Sequence, residues 1–187
     1  MKSSVLCLMS VLLVFSTGAL ASKDKGVYVG GGIHLVDVGV SDPFENNVNF
    51  ISGDVSIGYK YNAYVGLEVR YGKSLRDEIL AVTDAVSGLP DTVNASIDSY
   101  YSTYYRAELA NEIAKLYLLI GQSDMTTVLN FESDGRRIEL NESGLSYGVG
   151  FGMWLDERMN LNFEFKTLVE TDIQSFTAGS ITADYRF

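Results

Sequence analysis

From Gly26 to Phe187 the chain alternates between apolar and polar residues with a period of two. Eight segments carry the pattern: roughly 26–35, 50–61, 63–72, 99–109, 113–123, 144–155, 159–169 and 174–187. A period of two places successive side chains on opposite faces of a strand. Most segments run about 9–12 residues, the length of a tilted bilayer-crossing strand and longer than the ~5–6 residues usual in soluble proteins.

The apolar face holds Val27, Val29, Gly31, Ile33 and Leu35 in the first segment. In the seventh it holds Leu161, Phe163, Phe165, Thr167 and Val169, and in the eighth Gly179, Ile181, Ala183, Tyr185 and Phe187. No charge falls on this face in any segment. The opposite faces collect Asp54, Lys60, Glu68, Arg70, Arg106, Glu108, Lys115, Glu164, Lys166, Asp184 and Arg186, six basic and five acidic. Buried charges must be paired or stay wet. So near a balance predicts a paired network inside a closed barrel, with the apolar face turned to lipid. A soluble barrel of lipocalin type would put the charges outside, where nothing requires them to balance.

Connections alternate in length. Short turns fall at Asn62, 110–112 and 156–158; the other connections are centred on 36–49, 73–98, 124–143 and 170–173, the first three of them long. Short turns at one end and long loops at the other characterise outer-membrane barrels. The predicted fold is all-β: an eight-stranded antiparallel transmembrane up-and-down β-barrel with short periplasmic turns and long extracellular loops. Tyr28, Tyr59, Tyr61 and Tyr64 fall near the short-turn end, and Phe50, Tyr71, Tyr100 and Tyr101 near the other. Those that face outward form interfacial girdles.

The first 21 residues stand apart. Lys2, the apolar run Val5 to Phe15 and the small-x-small site Ala19-Leu20-Ala21 form a secretory signal peptide. The run is too short for a spanning helix. This divides the chain into a leader, 1–21, and a barrel domain, 22–187. The whole chain has formal net charge −10; loss of Lys2 makes the mature part −11. The long-loop segments carry −3, −3, −3 and −2, so they account for all of it. An acidic chain lacks the basic footprint of a nucleic-acid binder. One Cys, within the leader, and one His exclude a disulfide framework, a Cys-based zinc site and a multi-His metal site. No cofactor is predicted.

Gly30-Gly31-Gly32 and Gly148, Gly150 and Gly152 lack the following helix of a phosphate loop; inward glycines instead make room for large side chains. Ser74-Leu75-Arg76-Asp77 opens like a capping box, and Leu75, Ile79, Leu80, Val82 and Val86 follow at partly helical spacing before Gly88. A short helix is therefore predicted in the second long loop. The acidic loops have no EF-hand spacing. His34 faces the lumen near the long-loop rim, with no convincing catalytic partner in the sequence.

The start, Gly26-Val27-Tyr28-Val29-Gly30-Gly31-Gly32, resembles the first strand of the small outer-membrane β-barrel family, which includes the transmembrane half of outer-membrane protein A, the X and W proteins and the opacity adhesins. The end, Ile181 to Phe187, resembles the carboxy-terminal signal read by the barrel assembly machinery, with Tyr185 and Phe187 at the matching positions. The resemblance implies bacterial outer-membrane localisation, and contact with outer-membrane lipid and lipopolysaccharide. The leading expectation is a non-enzymatic structural and surface-interaction protein, in adhesion or envelope integrity, whose acidic loops meet lipopolysaccharide, a host surface or phage. A small pore is the alternative. A lipid A-modifying enzyme using His34 ranks third.

Overall fold

A computed structural model describes residues 25–40, 48–83, 90–170 and 174–187. The expected leader lies outside them. The strands are β1 (Gly26–Val40), β2 (Val48–Lys60), β3 (Val65–Ser74), β4 (Glu78–Thr83), β5 (Pro90–Ala110), β6 (Ala114–Phe131), β7 (Arg137–Trp154), β8 (Met159–Glu170) and β9 (Gln174–Arg186). All pairings are antiparallel. The order β3-β2-β1-β9-β8-β7-β6-β5 closes through a β3–β5 pairing. β4 continues the β3 stave, pairing Glu78–Thr83 with Ala95–Pro90 above the stretch of β5 that β3 occupies. The molecule is thus a closed eight-stranded barrel.

The three short turns share one device. Asn62 Oδ1 accepts from the backbone N–H groups of Tyr64 and Val65, Asn111 Oδ1 from Ile113 and Ala114, and Asp156 Oδ1 from Arg158 and Met159. Such Asx turns satisfy main-chain donors that a tight reversal would otherwise leave open.

The helix expected after Ser74 is not there. Glu78–Thr83 is a strand, while Val86 and Gly88 lie outside the described residues. Ile79, Val82 and Thr83 are β-branched, and β5 offers a ladder beside them. That pairing satisfies every other backbone group of the segment and outweighs the capping signal. The neighbouring long connections are also shorter than expected, because β1, β2, β5, β6 and β7 continue into them. β5 reaches 21 residues, and β6 and β7 reach 18 each.

These extensions reverse the sidedness of the strands. Along β1, Ile33 and Leu35 point out and are exposed, whereas Val36 and Val38 are buried inside and Asp37 points out. Leu35 shares its rung with Ile51 and Gly179; Val36 shares the next with the buried Phe50 and Ala178. On the far side of the barrel, Tyr101 is exposed and its neighbour Tyr100 buried. Below this level the barrel is apolar outside and polar inside. Above it the barrel is apolar inside, as a protein in water must be. The switch marks where the strands leave the membrane on the long-loop side.

The buried residues above the switch form one cluster: Val36, Val38, Phe50, Ala95, Ile97, Tyr100, Met125, Leu168, Val169, Phe176 and Ala178, with Leu129 against it. Parity alone places Val169 and Thr167 outward. Both are buried; a register shift between Thr167 and Val169 in the β8–β9 ladder inserts a residue and turns Val169 inward.

Candidate functional site in the barrel interior

The eleven charged residues read as interior are each buried, with at most 8% relative exposure. At the short-turn end, Lys60 Nζ donates to Glu108 Oε1 at 2.8 Å, and Arg186 Nη2 reaches the same oxygen at 3.3 Å. Lys115 Nζ donates to Asp184 Oδ2 at 3.2 Å. Asn160 and Asn162 also donate to Asp184, the latter at 3.0 Å. Trp154 lies under both cations, 4.3 Å from the Arg186 guanidinium and 5.3 Å from the Lys115 ammonium. This end of the lumen therefore carries cations clamped between carboxylates and an aromatic face.

The middle level is built on two glutamates. Glu68 accepts from Arg70 Nε, from Arg106 Nη1 at 2.8 Å and from the Tyr28 hydroxyl at 2.5 Å. Glu164 accepts two parallel bonds from Arg70, at 2.6 and 2.8 Å, and one from the Tyr117 hydroxyl at 2.6 Å. Lys166 stands 3.5 Å from Glu164. The Arg106 guanidinium lies 3.8 Å above the Tyr117 ring. Paired arginine–carboxylate forks of this kind have fixed geometry as well as charge neutrality.

Space for the rings comes from glycine. A Cβ at Gly58, Gly72 or Gly150 would fall on the ring of Tyr28, Tyr100 or Tyr117 respectively. Gly148 and Gly152 likewise lie against Lys166, and against Asn162 and Lys115.

Just below the apolar cap, His34 Nε2 faces Asp54 Oδ2 at 2.9 Å. Arg70 and Lys166 approach the same carboxylate at 3.8 and 3.9 Å. Tyr100 meets the imidazole edge-on, with ring centroids 6.4 Å apart. Ser52 is the cross-strand partner of His34. His34 and Ser52 are both 0% exposed. A Ser, a His and an Asp thus meet in one place, but no substrate could reach them as they stand. Among the described residues no group of three or more His, Cys, Asp and Glu is placed to hold a metal ion.

The neutral partners Tyr104, Tyr117, Asn160, Asn162 and Ser146 carry no charge and so escape a search for interior charges. Their signal was available: Tyr104, Tyr117, Asn160 and Asn162 share parity with the interior charges of their strands, and Ser146 shares the face of Gly148, Gly150 and Gly152. Tyr104 and Ser146 hydroxyls lie 2.7 Å apart, and Ser146 also donates to the Thr167 carbonyl at 2.7 Å, which repairs the ladder at the β8 irregularity. Tyr185 and Phe187 lie outside the network, exposed on the lipid-facing side with ring centroids 5.2 Å apart.

The profile of a family described as outer membrane protein beta-barrel domain matches residues 7–187. No curated protein matches the chain. Among solved structures, the chain is similar to Ail, the attachment invasion locus protein of Yersinia pestis, whose structure was solved in complex with the heparin analogue sucrose octasulfate. That match has a TM-score of 0.62 at 16% identity and covers 88% of this chain and 99% of Ail. Neisserial surface protein A gives 0.64 at 14% identity, covering 90% and 100%. The N-terminal barrel domain of Pseudomonas aeruginosa OprF gives 0.57 at 14% identity, covering 87% and 99%. At these identities the likeness is one of fold.

Proposed function

Because the chain belongs to the outer membrane protein beta-barrel family, we propose that it acts in the bacterial outer membrane as a non-enzymatic scaffold for surface interaction, in adhesion or envelope integrity. The packed interior is the observation that carries this reading. A charged network fills the membrane-spanning half, and an apolar cluster caps it on the long-loop side. Eight strands enclose just enough room for side chains, and here the side chains take it.

Such an interior supports the scaffold over the small-pore alternative. The sealing of His34 and Ser52 supports it over a lipid A-modifying enzyme. Function then belongs to the long-loop end, where β4, β5, β6 and β7 extend past the lipid-facing belt. The sequence assigns the mature net charge of −11 to the loop segments of that end. Acidic loops suit cation-bridged contact with lipopolysaccharide, or contact with a basic patch on a host surface or phage. Removal of the leader 1–21 and recognition of Tyr185 and Phe187 by the barrel assembly machinery complete the route to the membrane.

The test uses cells displaying the full chain, and a variant whose β4–β5 and β6–β7 extensions are cut to the rim. Loss of attachment to host cells or phage, with a heat-modifiable barrel retained on gels, is the expected result. Steady single-chain conductance in planar bilayers, with attachment unchanged by the trimming, would overturn the reading.

A further inference from the structure

On the outer wall, at the level where the sidedness of the strands reverses, β5, β6 and β7 form a polar notch of about 200 Å³. Two rungs build it. Tyr101, Asp124 and Ser143 lie side by side on one; Ser99, Thr126 and Asn141 lie on the next. Just below come the last lipid-facing apolar positions of β6 and β7, Ile120 and Leu145, exposed at 56% and 54%. The notch therefore sits at headgroup height rather than among acyl chains or in the water above.

Its chemistry is that of a sugar site. Tyr101 is 56% exposed and offers a ring face held by Tyr71, whose centroid is 4.8 Å away. Asp124 supplies carboxylate acceptors. Asn141 Oδ1 is taken by the Thr126 hydroxyl at 2.8 Å, which leaves the amide hydrogens of Asn141 as donors. Lys73 lies two residues beyond Tyr71 on the same strand face, and it is exposed. As the diagonal neighbour of Tyr101 it stands roughly 7–8 Å away along the wall, within reach of its long side chain. The next cation along, Arg76, is occupied by Glu78 at 2.7 Å.

We propose that this notch binds the headgroup of a phosphorylated glycolipid of the outer leaflet, the sugar stacking on Tyr101 between Asp124 and Asn141 and a phosphate meeting Lys73. Basic side chains at the membrane surface recognise lipid phosphates in this way. The proposal rests on membrane placement alone and stands whether or not the loops bind a partner.

Native mass spectrometry of the folded full chain, released from detergent after incubation with lipid, tests it. The probes are bisphosphorylated lipid A, the same lipid dephosphorylated, and phosphatidylglycerol. One lipid A per barrel should be retained in preference to phosphatidylglycerol. Lys73→Ala should weaken retention of the phosphorylated form about tenfold, the loss of one charge-assisted hydrogen bond, and leave the dephosphorylated form unchanged. Asn141→Trp and Ser143→Phe, which fill the notch from exposed positions, should weaken both forms. Arg158→Ala, a charge removed at the opposite end, should change neither. Gel mobility before and after boiling shows that each variant is folded. Equal retention of phosphatidylglycerol, or lipid A retention unchanged in the Lys73 and Asn141 variants, would overturn the proposal.

Discussion

At the residue scale, the interior is held by a few side chains with several partners each. Arg70 is one of them: it binds Glu68, grips Glu164 with two bonds and lies 3.8 Å from Asp54. Removing one partner of a buried pair leaves the other charge uncompensated, which costs about 3–5 kcal/mol. Arg70→Met should therefore strongly lower the urea midpoint for unfolding from lipid vesicles. The double variant Arg70→Met with Glu164→Gln should recover part of the loss, because Glu164 is then no longer a charge facing a methionine, while Glu68 keeps its bond from Arg106. If the double variant is as unstable as the sum of the singles, the pair is not coupled as the geometry requires. Gly58 tests the packing in the same way. Its Cβ would enter the Tyr28 ring, and that ring carries the hydroxyl bonded to Glu68. Gly58→Ala should destabilise by about 1–3 kcal/mol, as overpacking does. Adding Tyr28→Leu should restore space but not the bond to Glu68, so rescue should be incomplete in the same urea titration.

At the element scale, the turns fix the register of the staves they join. Asn111→Ala removes the acceptor for two main-chain donors and should cost about 1 kcal/mol, whereas Asn111→Asp should be tolerated because Asp156 does the same work. Of the three turn acceptors, Asp156 alone is a carboxyl. Backbone N–H bonds from Arg158 and Met159 hold the Asp156 carboxyl below its ordinary range. A lowered pKa adds stability above the unfolded-state value and loses it as pH falls through the folded one. The advantage of the native chain over Asp156→Asn should therefore be greatest at neutral pH and shrink on acidification; an advantage that grows in acid would contradict the turn's assignment. These turns were legible in the sequence as Asn62, 110–112 and 156–158. The β4 stave was not. Ser74 to Asp77 carries a local capping signal, while the β5 ladder that captures Glu78–Thr83 is supplied by residues about a dozen positions away. Local spacing cannot weigh a partner strand. The same limit hid the turn of Val169, since a bulge breaks parity without a residue type that announces it.

At the scale of the whole molecule, the sequence pattern held more than the eight staves. Alternation alone located the lipid-facing wall and the eleven interior charges, because lipid and lumen impose opposite polarity on neighbouring residues. It also contained the upper membrane boundary. In Leu35-Val36-Asp37-Val38 the apolar parity changes phase, and Phe176 and Ala178 do the same against Gly179 and Ile181. Read as a loop, the stretch from 36 conceals this; read as a continued strand, it shows one barrel crossing two solvents. The structure aligns the change on neighbouring staves: Leu35 pairs with Gly179 and Ile51, and Val36 with Ala178 and Phe50. A plane therefore exists at which outward positions pass from lipid to water within one or two rungs, about 3.3–7 Å along a strand. Single cysteines can find it, since the one native Cys7 falls in the leader. In vesicles, Ile33→Cys, Leu35→Cys and Gly179→Cys should resist a membrane-impermeant maleimide, while Asp37→Cys and Thr177→Cys, the pair two rungs higher, should label fully from outside. Val36→Cys and Ala178→Cys should stay unlabelled for a different reason, being packed inside the apolar cap, and should become reactive when urea opens the barrel. Labelling of Leu35→Cys together with Asp37→Cys would lower the boundary and remove the lipid-height notch with it; protection of both would raise it above the switch, and the inward apolar cluster would then have no aqueous surroundings to explain it.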